Sequence, residues 1–200
     1  MNTFNHLFDS GGPVVDNIIL PKPILDYNPL LHIDNFKADG FEKVCNVKLY
    51  YDDKWIYTDI DYRLMYSEHN SWVYLIAVGD IIVKLGETGQ PLGIRSTTIR
   101  HGWEQPITGT KCRLGRVASM QSSGKRSDTD QVIRAKLKPF LKDNQEVNIW
   151  AKKCEIVTVT EMIQSKLIKL NLTGHKDLEM FYLNYFADNY CSPVLNPILK

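Results

Sequence analysis

The chain reads as an α+β protein, with an antiparallel sheet and helices in separate stretches of sequence. Three observations carry that reading. Two β-branched runs, residues 73–78 and 81–86, flank Gly79-Asp80 at hairpin spacing. Upstream, residues 41–66 mix β-branched and aromatic residues around Asp52-Asp53, which predicts a second hairpin. Downstream, apolar residues recur at helical spacing twice: Val132, Ile133, Leu137, Phe140 and Leu141, then Leu178, Phe181, Tyr182, Tyr185 and Phe186.

Residues 1–30 are rich in Pro, Asn and Asp, with turn signals at Gly11-Gly12-Pro13 and Pro21-Lys22-Pro23, and read as an arm with little regular structure. Arm and hairpin make an N-terminal unit, residues 1–70, joined through Glu68-His69-Asn70 to a core at 71–200. In the core hairpin, register decides which side chains meet. A two-residue loop pairs Leu75 with Lys84 and turns Tyr74 to the opposite face from Lys84. A three-residue loop, Gly79-Asp80-Ile81 with a bulge, pairs Ile76 with Lys84 and puts Tyr74 and Lys84 on one face. If both residues serve one site, the longer loop is the one expected.

Residues 91–101 are expected as a short helix, with Leu92, Ile99 and Trp103 on one side. From Gly109 a polar, basic stretch runs to Ser122-Ser123-Gly124-Lys125-Arg126 and reads as a loop. Ser127 or Asp128 then caps the first long helix, which Pro139 should kink or end. Residues 147–159 alternate like a strand, part of it at the sheet's edge. Residues 175–189 form the last helix, whose five apolar residues are assigned to the core.

Composition narrows the function classes. An apolar content of 44% with 24% charged residues suits a soluble globular domain and excludes a disordered chain. Nothing approaches the ~18 consecutive apolar residues of a membrane span, and the N-terminus lacks the basic and apolar regions of a secretory signal. Cys45, Cys112, Cys154 and Cys191 show no C-x-x-C spacing, which suits reduced thiols in a cytoplasmic protein. The net charge of +1 hides an asymmetry: residues 1–70 carry 11 acidic and 6 basic side chains, a balance of −5, and the rest 12 and 18, or +6. Residues 95–126 alone hold seven basic side chains against Glu104. A stretch of that kind suits a phosphate-contacting surface, although a solvated basic face would look the same.

Several of these residues carry a resemblance. Val73-Tyr74 looks like the "IY" of the GIY-YIG nuclease superfamily's first strand, and Lys84-Leu85-Gly86 stands where its "YIG" would be. Glu87-Thr88 followed by Arg95 is similar to its glycine-exit segment and helix arginine. Asp177-Leu178-Glu179 resembles the head of the helix that bears the metal-binding glutamate, and Leu195-Asn196-Pro197 its closing asparagine. The similarity spans roughly residues 71–200 and departs at Lys84, where most members have a second tyrosine. Lysine at that position is a feature of a subgroup of type II restriction endonucleases in the superfamily.

The resemblance implies a small core, a three-stranded mainly antiparallel sheet flanked by helices, with residues 1–70 and the basic insertion added to it. It also implies hydrolysis of phosphodiester bonds with one Mg²⁺ per site held by Glu179, a hard cation suited to a carboxylate and water. Arg95 would grip the scissile phosphate with its planar fork, and Tyr74 would activate or position the water. A free phenol, with a pKa of about 10, is a poor base at neutral pH. Lys84 would either favour the phenolate or itself take the proton. Asn196 would organise backbone and Glu179 rather than touch substrate. Taken singly, each has a plain structural role: sheet tyrosine, edge-strand lysine, surface arginine, helix N-terminal acid, turn asparagine. Their shared order is what the separate roles leave unexplained.

His101 is a further candidate to help the water. Arg100, Lys111, Arg113, Arg116, Lys125, Arg126, Arg134 and Lys138 are candidates for DNA contacts. Glu87 is either a supporting group or nothing, and His175 a capping or surface residue. The partner expected is double-stranded DNA, cut by a symmetric homodimer because one such site cuts one strand. Three functions compete: a type II restriction endonuclease or a phage-type DNA-degrading endonuclease, a non-catalytic DNA-binding protein with a degenerate nuclease fold, and an interaction protein that uses its aromatic arm.

Overall fold

Both β-rich regions enter one sheet. Residues 28–50, 55–107, 111–118, 128–163 and 166–196 are described in this computed structural model; the arm up to residue 27 lies outside them. The first half runs α1 (Ile33–Ala38), β1 (Glu42–Leu49), β2 (Trp55–Thr58), α2 (Tyr62–Met65), β3 (Trp72–Val78), β4 (Ile81–Thr88), β5 (Arg95–Arg100) and β6 (Trp103–Pro106). The second half runs α3 (Arg113–Ala118), α4 (Asp128–Lys142), β7 (Val147–Lys153), β8 (Ile156–Ile163), β9 (Lys166–Thr173) and α5 (His175–Asp188). The α+β class holds. The main sheet is antiparallel in the order β2-β1-β7-β3-β4. It has five strands rather than three because the β1–β2 hairpin joins the core through β7.

Alternation along β3 splits the core in two. Tyr74, Ile76 and Val78 pack with Leu114, Val117, Ile133, Leu137 and Phe140 from α3 and α4. Val73 and Leu75 pack with Ile33 and Phe36 of α1 and with Tyr182 and Phe186 of α5. Because both faces are covered, all seven residues of β3 are buried. The two edges of the sheet are closed by side-chain amides. Gln105 accepts from Tyr57 N and donates to Tyr57 O, both at 2.8 Å, on β2. Asn196 accepts from Leu85 N at 2.7 Å and donates to Leu85 O at 2.8 Å on β4. Each amide mimics one rung of a further strand and blunts the edge.

Four local expectations change. Residues 91–101 are not helical: β5 and β6 form a separate hairpin. Its β-branched run Thr97-Thr98-Ile99 favours extended backbone, and His101-Gly102 supply the two positive-φ residues of a tight turn, at +52° and +77°. Residues 147–159 divide at Cys154; β7 lies at the centre of the sheet, not its edge, and β8 pairs with β9 in a second two-stranded sheet. Pro139 does not end α4, which runs on to Lys142. In α5, Tyr182 and Phe186 are buried, but Phe181 is 62% exposed and Tyr185 43%. A helix lying on one sheet face buries a single stripe, and the other two aromatics fall outside it.

The basic stretch is only partly a loop, since α3 begins within it; residues 108–110 and 119–127 lie outside the described residues. All four cysteines are free thiols. Among the described residues no helix is long and apolar enough to cross a membrane.

Candidate functional site

The register of the β3–β4 hairpin decides the site. Ile76 stands opposite Lys84 and Tyr74 opposite Gly86, so Tyr74 and Lys84 share a face, as the longer-loop reading requires. The extra residue is not in the loop, however. Val78 pairs with Ile81 and Ala77 with Ile82, leaving Val83 as a bulge, and the turn itself is Gly79-Asp80 with Gly79 at φ +57°. Gly86 is required by contact: a Cβ there would fall on the Tyr74 hydroxyl, with Tyr74 Cζ only 2.5 Å away.

Tyr74 is 3% exposed, Lys84 6% and Arg113 8%. The arginine that meets Tyr74 is Arg113, not Arg95. Arg113 donates from Nε at 3.1 Å and from Nη2 at 2.6 Å to the Tyr74 hydroxyl oxygen, and its guanidinium lies 5.0 Å from the ring centroid. Local backbone holds it there. The first amides of α3, which have no partner within the helix, donate instead to the loop before β5: Arg113 N to Pro91 O at 3.0 Å and Leu114 N to Leu92 O at 2.9 Å. Tyr57 OH donates to Leu114 O at 2.8 Å. Gly115 lets the helix press against Ile107, whose carbonyl a Cβ would strike.

Arg95 goes elsewhere. It opens β5, its side chain is 67% exposed, it faces Glu104 at 3.6 Å, and it lies over the Tyr66 ring at 5.3 Å. Arg95 fits the glycine-exit motif in sequence, but the backbone there is strand β5, paired with β6. Arg113 stood among the expected DNA contacts. The signal that marks it is a short amphipathic turn, Leu114 and Val117 inward, just after a β-branched run that cannot supply a helix.

Glu179 sits on the second turn of α5, half-buried. Burial pushes its carboxyl pKa up; the Lys84 ammonium pulls it down, Glu87 pushes it up, and Arg113 pulls it down. Those influences put Lys84, Glu87 and Arg113 within electrostatic reach of one carboxylate. Asn196, 5% exposed, grips both backbone groups of Leu85, between Lys84 and Gly86. Its expected role in organising backbone thus has a definite object.

The remaining candidates are spread out. His101 lies in the β5–β6 turn with its ring 4.1 Å from that of Tyr50, and it is not gathered with Tyr74. Lys111 is exposed, and Arg100 and Lys138 are partly so. Arg116 donates to Gln90 Oε1 at 3.0 Å, and Arg134 lies 5.8 Å over the Trp55 ring. Lys125 and Arg126 lie outside the described residues. His175 is neither cap nor surface: it is 5% exposed and faces Glu87.

The donor set suits a hard, hydrated cation. Among the described residues no group of three or more His, Cys, Asp and Glu side chains is placed to hold a metal. Mg²⁺ is usually held by one or two carboxylates while it keeps its waters, and Glu179 and Glu87, whose charges influence one another, are the carboxylates that could serve.

No family model and no curated protein matches the chain. Among solved structures, a mutant of bacteriophage T4 EndoII is similar at a TM-score of 0.51 and 14% identity, over 83% of this chain and 99% of that one. Restriction endonuclease Hpy188I in complex with product DNA is similar at a TM-score of 0.47 and 21% identity, over 91% of this chain and 94% of that one. The chain therefore shares its fold with a nuclease. That nuclease is the phage enzyme EndoII.

Proposed function

We propose that the protein is a Mg²⁺-dependent endonuclease of the GIY-YIG type that hydrolyses double-stranded DNA at specific sites, as a type II restriction enzyme does. One observation carries the reading: in a nuclease fold, a buried tyrosine bonded to a buried arginine shares its sheet face with a buried lysine, and the charges of that lysine and arginine act on the half-buried Glu179. A DNA-binding relic would have no reason to keep two cations and an acid around a buried phenol.

In this reading Glu179, with Glu87 beside it, holds the magnesium ion. When bound, the ion neutralises charge on the phosphate and the leaving oxygen. Arg113 takes the place expected of Arg95. Its two N–H donors fix the Tyr74 oxygen as an acceptor and stabilise negative charge on it. Tyr74 positions the attacking water, and Lys84, facing the same way from β4, supplies the second cation or takes the proton. Asn196 keeps the Leu85 backbone, and with it Lys84, in place. A double-strand break needs two such sites, supplied by a homodimer in the cytoplasm. The 1–70 unit and the basic insertion would provide base contacts and the dimer interface, with Arg100, Lys111, Arg116, Lys125, Arg126, Arg134 and Lys138 toward phosphates.

A phage-type enzyme that degrades DNA by the same chemistry is the second reading, and the fold shared with T4 EndoII accommodates it. Plasmid digestion with Mg²⁺ followed by sequencing of the ends tests both. A discrete fragment set with one end sequence supports restriction, and a broad spread of ends supports the phage role. Intact plasmid at every divalent ion tried would remove the nuclease reading altogether.

A further inference from the structure

Glu87 and His175 were given no firm role by sequence, yet they occupy the same corner as Glu179. His175 opens α5 one turn before Glu179, and i, i+4 spacing puts the two side chains on one face of that helix. His175 Nε2 lies 3.2 Å from Glu87 Oε2, and Nδ1 lies 3.0 Å from Ser71 Oγ. Ser71 is fully buried and His175 nearly so, which leaves these two partners to set the tautomer. With its proton on Nε2 the ring donates to the Glu87 carboxylate and accepts the Ser71 hydroxyl at Nδ1. The opposite tautomer would turn a lone pair toward the carboxylate. Glu87 meanwhile leaves 27% of its side chain exposed, and its charge is felt at Glu179. The carboxylate is tethered by His175 and keeps part of its surface open to solvent.

We propose that His175, oriented by Ser71, is a positioning residue that holds Glu87 beside Glu179, so that the two carboxylates together take the site's divalent cation. The inference rests on the nuclease reading above. Its chemistry is that of an outer-sphere histidine: a ligating carboxylate is aimed by a hydrogen bond from behind, and such partners are worth about 10–100-fold in metal affinity or activity. The relay also joins the residue before β3, the end of β4 and the start of α5, the three elements that bring Tyr74, Lys84 and Glu179 together.

The test is Mn²⁺ titration by calorimetry on the DNA-free full chain, with steady-state cleavage and melting curves alongside. Glu87→Gln and His175→Phe should weaken Mn²⁺ binding about 10–100-fold and lower kcat, with KM for DNA little changed. His175→Gln, whose amide can donate where Nε2 does, should recover most of the binding. Glu87→Gln removes a part-exposed charge without changing shape, so it stays informative if His175→Phe fails to fold. Mn²⁺ affinity unchanged in a folded Glu87→Gln protein, with the parent chain cutting DNA, would overturn this inference and leave the nuclease reading standing. A parent chain that binds Mn²⁺ but cuts no DNA would overturn the reading beneath it.

Discussion

Replacing Gly86 with alanine should damage the site more than the fold. The added Cβ would stand 2.5 Å from Tyr74 Cζ and 2.9 Å from Cε1, whereas ordinary contact begins near 3.4 Å. The ring must therefore retreat by about 0.9 Å, the difference between 3.4 and 2.5. Its retreat is opposed by the β3 core on one side and by the paired Arg113 bonds on the other. Overpacking of this kind costs about 1–3 kcal/mol, and each kcal/mol lowers the Tm of a domain this size by about 2–4 °C. A displacement of about 1 Å at a reacting group costs about 100-fold in rate. The assay is single-turnover cleavage of a supercoiled plasmid beside a melting curve. Combining Gly86→Ala with Tyr74→Leu should return part of the lost stability, since the two side chains share one space, and none of the activity. A Gly86→Ala protein that cuts within threefold of the parent rate would refute the reasoning, because Tyr74 would then not be held where the chemistry is placed.

The two arginines separate cleanly. Arg113→Lys should slow cleavage by about 10²–10³-fold, the loss expected when a preorganised donor to developing charge is removed. Arg95→Ala should change it by about fivefold at most, a surface ion pair being worth about 0–1 kcal/mol; single-turnover rates for the pair decide it. Asn196→Ala should cost about 2–6 kcal/mol in urea melts, about 1–3 for each of the two Leu85 backbone groups left without its partner. Glu179 carries a sign of its own. Burial raises its pKa, so its favourable contribution to folding is complete below the ordinary carboxylate range and is lost as pH rises through the raised value. Without divalent ions, Glu179→Gln should therefore melt above the parent at neutral pH, with the gap closing as the solution is acidified. A lower Tm for the variant at neutral pH contradicts it.

Sequence carried the centre of the fold and left its periphery open. The β3–β4 hairpin was legible because its β-branched runs and Gly79-Asp80 all favour one geometry, and because Tyr74 and Lys84 can share a face in only one register. The bulge was foreseen but misplaced: turn chemistry alone does not say whether the extra residue falls in the loop or at Val83. The helix expected over residues 91–101 fails because the extended preference of Thr97-Thr98-Ile99 prevails over an arginine placed after a glycine exit. Arg113 was hidden for a related reason. Its place depends on amides of α3 reaching the carbonyls of Pro91 and Leu92, contacts that span some twenty residues and leave no local pattern. The periodicity of α5 gave the helix and one buried stripe, but not which aromatics lay outside it. At a helix start His175 reads as a capping or surface residue; only tertiary packing brings Ser71 and Glu87 to its two nitrogens.

The central claim is that Glu179 belongs to a nuclease centre and not simply to the first turns of a helix. The most direct measurement is paired DNA binding and Mg²⁺-dependent plasmid cleavage by the parent chain and by Glu179→Gln. The account predicts near-equal affinity for DNA and no detectable cutting by the variant. Equal cutting by the two proteins would contradict it.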